Sequence, residues 1–265
     1  MVTLEIVKEP VLDVNTILFR CSSLGHLMPG PREKEGQIQQ GTLTHLVDCF
    51  VSWRYGRREE INGKTLDKGN EREEDSVTLV SLVHKKFYKK NNIRLSNAFI
   101  TGEWDLSDGE PIEETLDTKT SWSAHTYHRA KNKPLEDGYE WQGHGYMWLT
   151  GAKKHTVCYC LVNGTAQAIR DEKRKLAWRY GADPDSNPDY VKKCKQIEIN
   201  HIFDLFSFNQ ENPGFDFHSD LSEWKYDIPM KNRLHTFTFE RDEAKIKQIE
   251  NRVIECRNWI KNNLL

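Results

Sequence analysis

Apolar positions in this chain follow a helical spacing in some stretches and a strand spacing in others. Over residues 71–89, leucine, valine and aromatic residues recur at helical spacing, with acidic residues in the first turn and lysines in the last. This charge order suits the helix dipole, so the pattern predicts a helix over that range. Residues 94–121 change to short strands, interrupted at Gly102 and at the turn sequence SDGEP, and residues 155–164 indicate a buried strand.

The same pattern predicts the remaining elements. Further helices are expected over residues 41–53, 122–131, 136–150, 165–180, 187–207 and 242–263, and a further strand over 233–242. Gly151 follows the helix over 136–150 as its C-cap, and Gln142 and Tyr146 share one face of that helix. The order of elements predicts an α/β domain in which a central mixed β-sheet is flanked by helices.

Length and composition fit one elaborated α/β domain or a domain with a small appendage. The 265 residues are 37% hydrophobic, without low-complexity tracts or internal repeats, and a chain of this size can bury a sizeable core. Residues 1–14 lack a basic region followed by a long apolar run, so we expect no signal peptide. No window reaches the roughly 18 apolar residues of a membrane span. Six cysteines at irregular spacing are expected to be free thiols in a reducing cytoplasm.

Net charge neither indicates nor excludes a nucleic-acid partner. The formal net charge is −2, from 38 basic and 40 acidic residues. A protein that bound nucleic acid through charge alone would usually be more basic. A polyanionic partner must therefore be bound by local basic patches or through a metal ion.

The sequence LDTKTSW, residues 116–122, is the first candidate for chemistry. Because side chains alternate along a strand, Asp117 and Lys119 should share one face while Thr118 turns away. Asp105 lies in the preceding strand region, and carboxylates on adjacent strands could reach one Mg²⁺ or Mn²⁺ ion. Alone, an Asp-x-Lys pair is more often a solvated ion pair worth about 0–1 kcal/mol. We expect instead that Asp117 and Lys119 serve one reaction rather than pairing with each other.

Four stretches resemble motifs of the PD-(D/E)XK nuclease superfamily, and within it the phage recombination exonucleases of the lambda-exonuclease and YqaJ type. KGNEREEDSVTL is similar to the helix motif with a metal-binding glutamate, which maps onto Glu73. ITGEWDLSDG is similar to the strand with the first catalytic aspartate, which maps onto Asp105. Trp104 stands where the family often has proline, and Glu103 shares a strand face with Asp105, so either carboxylate could bind metal.

The other two stretches complete the resemblance, which covers roughly residues 65–160. LDTKTSW is similar to the (D/E)XK element, with Asp117 in place of the commoner glutamate and Lys119 as its lysine. YEWQGHGYMWL is similar to the QxxxY-type helix, at Gln142 and Tyr146. Tyr146 is equally well explained as a core residue.

The resemblance implies a restriction-endonuclease-like fold in one nuclease domain over residues 1–265, with a catalytic core at about 65–165 and helical elaborations at both ends. It implies phosphodiester hydrolysis by a water activated by Mg²⁺ or Mn²⁺, with two ions. Lys119 would hold or polarise that water, and Gln142 would hydrogen-bond close to it. The implied metal ligands are the carboxylates of Glu73, Asp105 and Asp117 and the carbonyl of Thr118.

The resemblance also implies a substrate and partners. Exonucleases of this type imply 5′→3′ digestion from the ends of linear double-stranded DNA, in phage-type recombination with a single-strand annealing protein. They imply a ring-shaped homotrimer in the cytoplasm of a bacterial or phage-infected cell. They also imply a site for the terminal 5′ phosphate, for which FRCSSLG offers Arg20, Ser22 and Ser23, although an ordinary turn explains these residues as well.

Two basic clusters could contact DNA phosphates, although such charge runs are more often solvated faces. The first is on the helix over residues 165–180 and the second follows the helix over 41–53. The residues are Arg170, Lys173 and Arg174 in the first cluster, and Arg54, Arg57 and Arg58 in the second.

Other functions stay open at this point. The motifs do not separate an exonuclease from an endonuclease of the same superfamily. A non-catalytic nucleic-acid-binding module stabilised by zinc is a further alternative. Its candidate zinc ligands would be His125, His128, His144, Cys158 and Cys160, but the two cysteines alternate with Tyr159 in an apolar strand, which favours burial.

Overall fold

A computed structural model of the chain describes residues 13–30, 33, 37–58, 71–88, 90–181 and 183–265. The N-terminal residues 1–12, the basic loop beyond Arg58 and Gly69 of the first motif lie outside the described residues. Within the described part, no helix is both long and apolar enough to cross a membrane.

Four consecutive strands lie in the middle of the described chain, and single strands separate the later groups of helices. The helices are α1 (Leu24–Leu27), α2 (Gln40–Tyr55), α3 (Glu73–His84), α4 (Ala124–Lys131), α5 (Asp137–Thr150), α6 (Ala166–Ala177), α7 (Pro188–His201), α8 (Leu205–Glu211) and α9 (Glu243–Leu264). The strands are β1 (Phe19–Arg20), β2 (Leu95–Ser96), β3 (Ile100–Gly102), β4 (Leu106–Asp108), β5 (Glu114–Thr120), β6 (Lys154–Cys160) and β7 (Leu234–Glu240).

The strands form two sheets. The larger sheet has the order β4-β5-β6-β7, in which β5 and β6 are parallel and the two outer pairs are antiparallel. The smaller sheet has the order β1-β3-β2, with β1 parallel and β2 antiparallel to β3. The predicted α/β architecture with a mixed sheet flanked by helices is therefore confirmed, and the small second sheet is a feature that the sequence pattern did not separate.

Strand β5 presents alternate residues to helices on opposite faces of the larger sheet. Leu116 is buried against α3, in a cluster that includes Leu79. The hydroxyl of Thr120 lies 2.9 Å from that of Ser76 on the same helix. Asp117 points to the other face and contacts α5, as the alternation predicts.

Helix α3 is shorter than the predicted range of 71–89. It spans Glu73–His84 and ends where Lys85 adopts a left-handed backbone conformation with φ 53°. The amides of Lys85 and Lys86 bond back to carbonyls of the last turn, which closes the helix C-terminus. Phe87, which the helical pattern includes, therefore lies in a loop beyond the helix.

The helix predicted over residues 187–207 is two helices. Helix α7 ends at His201, and the short helix α8 begins at Leu205. Asp204 is the N-cap of α8, because its carboxylate accepts a hydrogen bond from the backbone amide of Ser207 at 3.0 Å. Oδ1 of Asn163 accepts hydrogen bonds from the backbone amides of Phe203 and Asp204. These bonds fix the extended backbone between the two helices.

Helix α9 holds the N-terminal segment beside the small sheet. Arg257 is 5% exposed and donates hydrogen bonds to the carbonyls of Ile17 and Ala98. Arg252 on the same helix donates to the carbonyl of Leu27 at 2.6 Å. These contacts fix the segment before and after β1 relative to the rest of the fold.

Helix α5 lies close to the larger sheet because of a glycine. A β-carbon added to Gly143 would overlap the imidazole of His155 and would lie 2.5 Å from the ring of Phe239. The cost of glycine in a helix, about 1 kcal/mol relative to alanine, is therefore offset by packing that alanine would prevent.

We expect Gly143→Ala to lower the free energy of unfolding by about 1–3 kcal/mol, because it overfills this contact. Urea unfolding followed by circular dichroism measures the change. Gly138→Ala in the same helix is the control, since the nearest atom to its added β-carbon lies 4.0 Å away. Equal midpoints for Gly143→Ala and the wild type would contradict the close approach.

Candidate active site

Asp117 and Lys119 lie at the centre of the candidate site, on the face of β5 that meets α5. Asp117 is 3% exposed, and its Oδ2 contacts the ammonium of Lys119. The two side chains therefore pair with each other, contrary to the expectation from the sequence. Burial alone would lower the pKa of Lys119, but the charge of Asp117 raises it above the ordinary value.

Gln142 on α5 joins these two side chains. Its Nε2 donates to Oδ1 of Asp117 at 3.3 Å, and Nζ of Lys119 donates to its Oε1 at 3.3 Å. The same Nε2 donates to the hydroxyl of Tyr146 at 2.8 Å. Gln142 and Tyr146 thus occupy one helix face beside the Asp-Lys pair, as their spacing predicts.

Tyr146 belongs to both the core and the site. Its side chain is 3% exposed and packs in the apolar cluster around Phe19 and Ile100. Burial, and then the charge of Asp117, raise the pKa of its hydroxyl well above the usual range, so the group stays neutral. The neutral hydroxyl accepts a hydrogen bond from Nε2 of Gln142, which leaves Oε1 of Gln142 facing Lys119.

Asp105 lies at the break between the two sheets. The sequence predicts a strand through this residue, but β3 ends at Gly102 and β4 begins at Leu106. Because Leu106 pairs with Leu116, Asp105 stands across from Asp117 in the antiparallel register. Leaving the strand frees its carboxylate to accept two hydrogen bonds from Thr118, from the amide at 2.6 Å and the hydroxyl at 2.8 Å.

The electrostatics of Asp105 suit a cation site. Removal from water, and then the nearby charge of Asp117, raise the pKa of Asp105 to about 7. Two neighbouring carboxylates of this kind are the hard oxygen ligands that Mg²⁺ and Mn²⁺ prefer, together with waters and substrate phosphate. The residues present therefore fit the implied metal. Glu103, the alternative ligand, is exposed and pairs with Arg94 at 2.9 Å.

Glu73 does not join the two aspartates in this structure. Its carboxylate accepts a hydrogen bond from the ammonium of Lys90 at 2.8 Å. That hydrogen bond, and more weakly the charge of Asp105, raise the pKa of Lys90, so Lys90 is near both carboxylates. Among the described residues, no three histidine, cysteine, aspartate or glutamate side chains are grouped to hold a metal. Glu73 stays a predicted ligand.

The same result applies to the zinc alternative. Cys158 and Cys160 are buried free thiols in the apolar cluster under α3. His144 is buried against Phe239, whereas His125 and His128 are exposed on α4. Within the described ranges these side chains do not form a group that could hold an ion.

Tyr139 is a site residue that the functional prediction did not include. Nζ of Lys119 lies 4.6 Å from the centre of its ring, a cation–π contact. The ring in turn packs edge-on against Tyr159, with centroids 6.1 Å apart. Its position three residues before Gln142, on the same helix face, is the signal in the sequence that could have identified it.

The predicted phosphate-binding residues lie at the end of β1 and in the turn that follows it. Arg20 ends β1, and both Arg20 and Ser22 are exposed, whereas Ser23 is half-buried and donates to the carbonyl of Arg20 at 3.0 Å. Cys21 between them is fully buried against Gly102 and Gly145. The segment is therefore anchored beside α5, and a role in phosphate binding stays a prediction.

The basic cluster on α6 is only partly available to a ligand. Lys173 is 7% exposed, and its ammonium lies 2.6 Å from the carboxylate of the fully buried Glu198. Arg174 is exposed, and Arg170 lies over the ring of Phe215. Lys173 thus joins α6 to α7 through its ion pair with Glu198. In the second cluster, Arg57 and Arg58 are exposed and Arg54 lies over the ring of Tyr55.

The fold defines the class of protein to which the chain is similar. No family model and no curated protein matches the sequence, but solved structures of exonucleases match its fold. A phage-related exonuclease from Haemophilus somnus 129PT has a TM-score of 0.66 and 23% identity, over 94% of this chain and 96% of its own. The alkaline exonuclease LHK-Exo from Laribacter hongkongensis has a TM-score of 0.55 and 12% identity, over 94% and 90%.

A second structure of LHK-Exo, in complex with dAMP, matches equally well. Each match spans nearly the whole of both chains. At the level of fold, these likenesses agree with the resemblance drawn from the four sequence motifs.

We expect Lys173→Met to lower the free energy of unfolding by about 3–5 kcal/mol, because it removes the cation that offsets the buried charge of Glu198 and leaves that carboxylate only its hydrogen bonds from His218 and Ser219. Arg174→Met on the same helix is the matched control and should change it by less than about 0.5 kcal/mol. Chemical denaturation measures both. Equal stability of the two variants would show that Lys173 is not a buried partner of Glu198.

Proposed function

We propose that the protein is a metal-dependent exonuclease that hydrolyses phosphodiester bonds of linear double-stranded DNA. The observation that carries this proposal is the cluster of Asp105, Asp117, Lys119 and Gln142. The cluster lies at the junction of the two sheets, in a fold shared with two exonucleases. Neither the cluster nor the fold alone would suffice, since a buried Asp-Lys pair can be purely structural and one fold can host several activities.

Asp105 and Asp117 would hold Mg²⁺ or Mn²⁺, which when bound lowers the pKa of a ligand water and offsets the charge of the substrate phosphate. The carbonyl of Thr118 and the carboxylate of Glu73 are further proposed ligands. For Glu73, this role requires its carboxylate to leave the ammonium of Lys90, which it contacts at 2.8 Å. The amide and hydroxyl of Thr118 orient Asp105 for the task.

Lys119 would position the attacking water and stabilise negative charge on the phosphate. Its ammonium contacts Asp117, the oxygen of Gln142 and the ring of Tyr139, so few orientations are open to it. Gln142 fixes the side chains of Asp117 and Lys119 relative to each other through hydrogen bonds to both. Such preorganised groups act on charge that develops in the transition state, which is where they accelerate hydrolysis most.

The finer aspects of the proposal follow the family resemblance. We place the 5′ phosphate of a DNA end near Arg20, Ser22 and Ser23, which gives 5′→3′ polarity. LHK-Exo has been crystallised with dAMP, the nucleotide unit that an exonuclease would release. A role in phage-type recombination, a single-strand annealing partner and a ring-shaped trimer complete the proposal.

We expect the protein to digest a linear duplex in Mg²⁺, to stop in EDTA, and to leave a covalently closed circle of the same sequence intact. An end label would be released first from the 5′ end. Gel electrophoresis of both substrates measures this. Cutting of the closed circle would replace the end-dependent proposal with an endonuclease of the same superfamily.

Variants of two lysines serve as controls for this assay. Lys119→Met should slow hydrolysis by about 10²–10⁴-fold, the usual contribution of such a group, and should leave DNA binding in place. Lys153→Met, a lysine with a 75% exposed side chain that pairs with Glu113, should digest DNA like the wild type. Equal rates for Lys119→Met and the wild type would show that the site is assigned wrongly.

A further inference from the structure

The loop that follows α3 carries an unusually exposed aromatic side chain. Phe87 is 89% exposed, whereas the next residue, Tyr88, is 7% exposed. Two contacts anchor the loop at Tyr88. The amide of Tyr88 donates to the hydroxyl of Ser81, and the hydroxyl of Tyr88 lies 3.2 Å from Nδ1 of His84. Phe87 is therefore presented to solvent by a defined backbone.

Phe87 forms one wall of an open groove of about 350 Å³ along α3. Val77, Leu82, Phe87 and Tyr88 give the groove an apolar surface, and its polar lining residues are Glu74, Thr78, Ser81 and Lys90. Its size is at the lower end of the roughly 300–1,000 Å³ typical of small-molecule sites. An apolar wall beside several hydrogen-bonding side chains suits a flat heterocycle with exocyclic polar groups.

The same loop leads directly into the candidate active site. Lys90 forms a bridge to Leu106 of β4, and its ammonium contacts Glu73 at 2.8 Å. The amide of Asn91 donates to the carbonyl of Asp105 at 2.7 Å. Lys90 thus lines the groove and also lies beside Glu73 and Asp105, which are proposed to hold the metal.

Charge favours nucleic acid as the occupant. Lys85, Lys86 and Lys90 flank Phe87 in the loop, and Lys85 and Lys86 are exposed. Lys86 also pairs with Asp108, and Glu74 is exposed at the rim, so the charge is mixed. This mixture suits a nucleotide better than a bare phosphate, because an N–H group of a base, such as N3–H of thymine, can donate to Glu74 while the phosphate meets lysine.

We propose that this groove binds an unpaired base of the substrate strand next to the scissile phosphate, with Phe87 as the stacking surface. Aromatic side chains between basic residues bind single strands in this way, since every base has a face that can stack. The inference rests on the proposed nuclease function and adds to it a subsite for one nucleotide.

Binding of fluorescein-labelled oligo(dT) in EDTA, measured by anisotropy, tests the subsite without hydrolysis. Phe87→Ala should weaken binding by about 5- to 150-fold, as expected for loss of one stacked base. An abasic oligonucleotide of equal length retains the phosphates, so Phe87→Ala should bind it like the wild type. Phe87→Trp should restore the affinity for oligo(dT).

Phe206→Ala is the matched control, because Phe206 is 71% exposed on α8, a helix without lysine or arginine. It should bind oligo(dT) like the wild type. Unchanged oligo(dT) binding by Phe87→Ala would overturn the subsite, even if the wild type digests DNA. A change in subunit number on Phe87→Ala, seen by sedimentation, would also overturn it, by showing that a second copy covers the groove. A wild type that binds oligo(dT) through Phe87 but never digests DNA would reject only the nuclease proposal.

Discussion

Two carboxylates of like charge stand across from each other where the small sheet meets the larger one, and the surrounding elements offset that charge. Lys119 supplies a cation to Asp117, and the amide and hydroxyl of Thr118 supply hydrogen bonds to Asp105. Gln142 adds an amide donor from α5. The pKa of Asp105 is nevertheless raised to about 7, by burial first and then by the charge of Asp117. A divalent cation bound at this site, as we propose, would offset the charge of both carboxylates.

The positions of these groups depend on how closely α5 approaches both sheets. Gly143 permits contact with His155 and Phe239 of the larger sheet. Gly145 permits contact with Cys21 and Leu24, in the segment that carries the predicted phosphate residues. One helix with two small residues thus holds Gln142 and Tyr146 between the candidate metal residues and the N-terminal segment.

Local periodicity predicted the parts of the site that depend on one element. Alternation along β5 placed Asp117 and Lys119 on one face, and the spacing of four placed Gln142 with Tyr146. The fold class followed from the order of elements. Periodicity also extended α3 through Phe87, because it does not register the left-handed backbone of Lys85 that ends the helix.

Contacts between distant segments could not be predicted from local periodicity. The pairing of Lys173 with Glu198 depends on how α6 packs on α7. The division of residues 187–207 depends on Asn163, which bonds to the backbone from about 40 positions away. The hydrogen bonds of Thr118 to Asp105 require the break between β3 and β4, and the ion pair of Glu73 with Lys90 requires the loop after α3.

Direct observation of a metal ion would test the central claim, that Asp105 and Asp117 form a divalent-cation site. Crystals grown with Mn²⁺ should give an anomalous difference peak between these two carboxylates. The peak should be absent from crystals of Asp117→Asn grown in the same way. An anomalous map without a peak there, at a Mn²⁺ concentration that supports DNA digestion, would contradict the account.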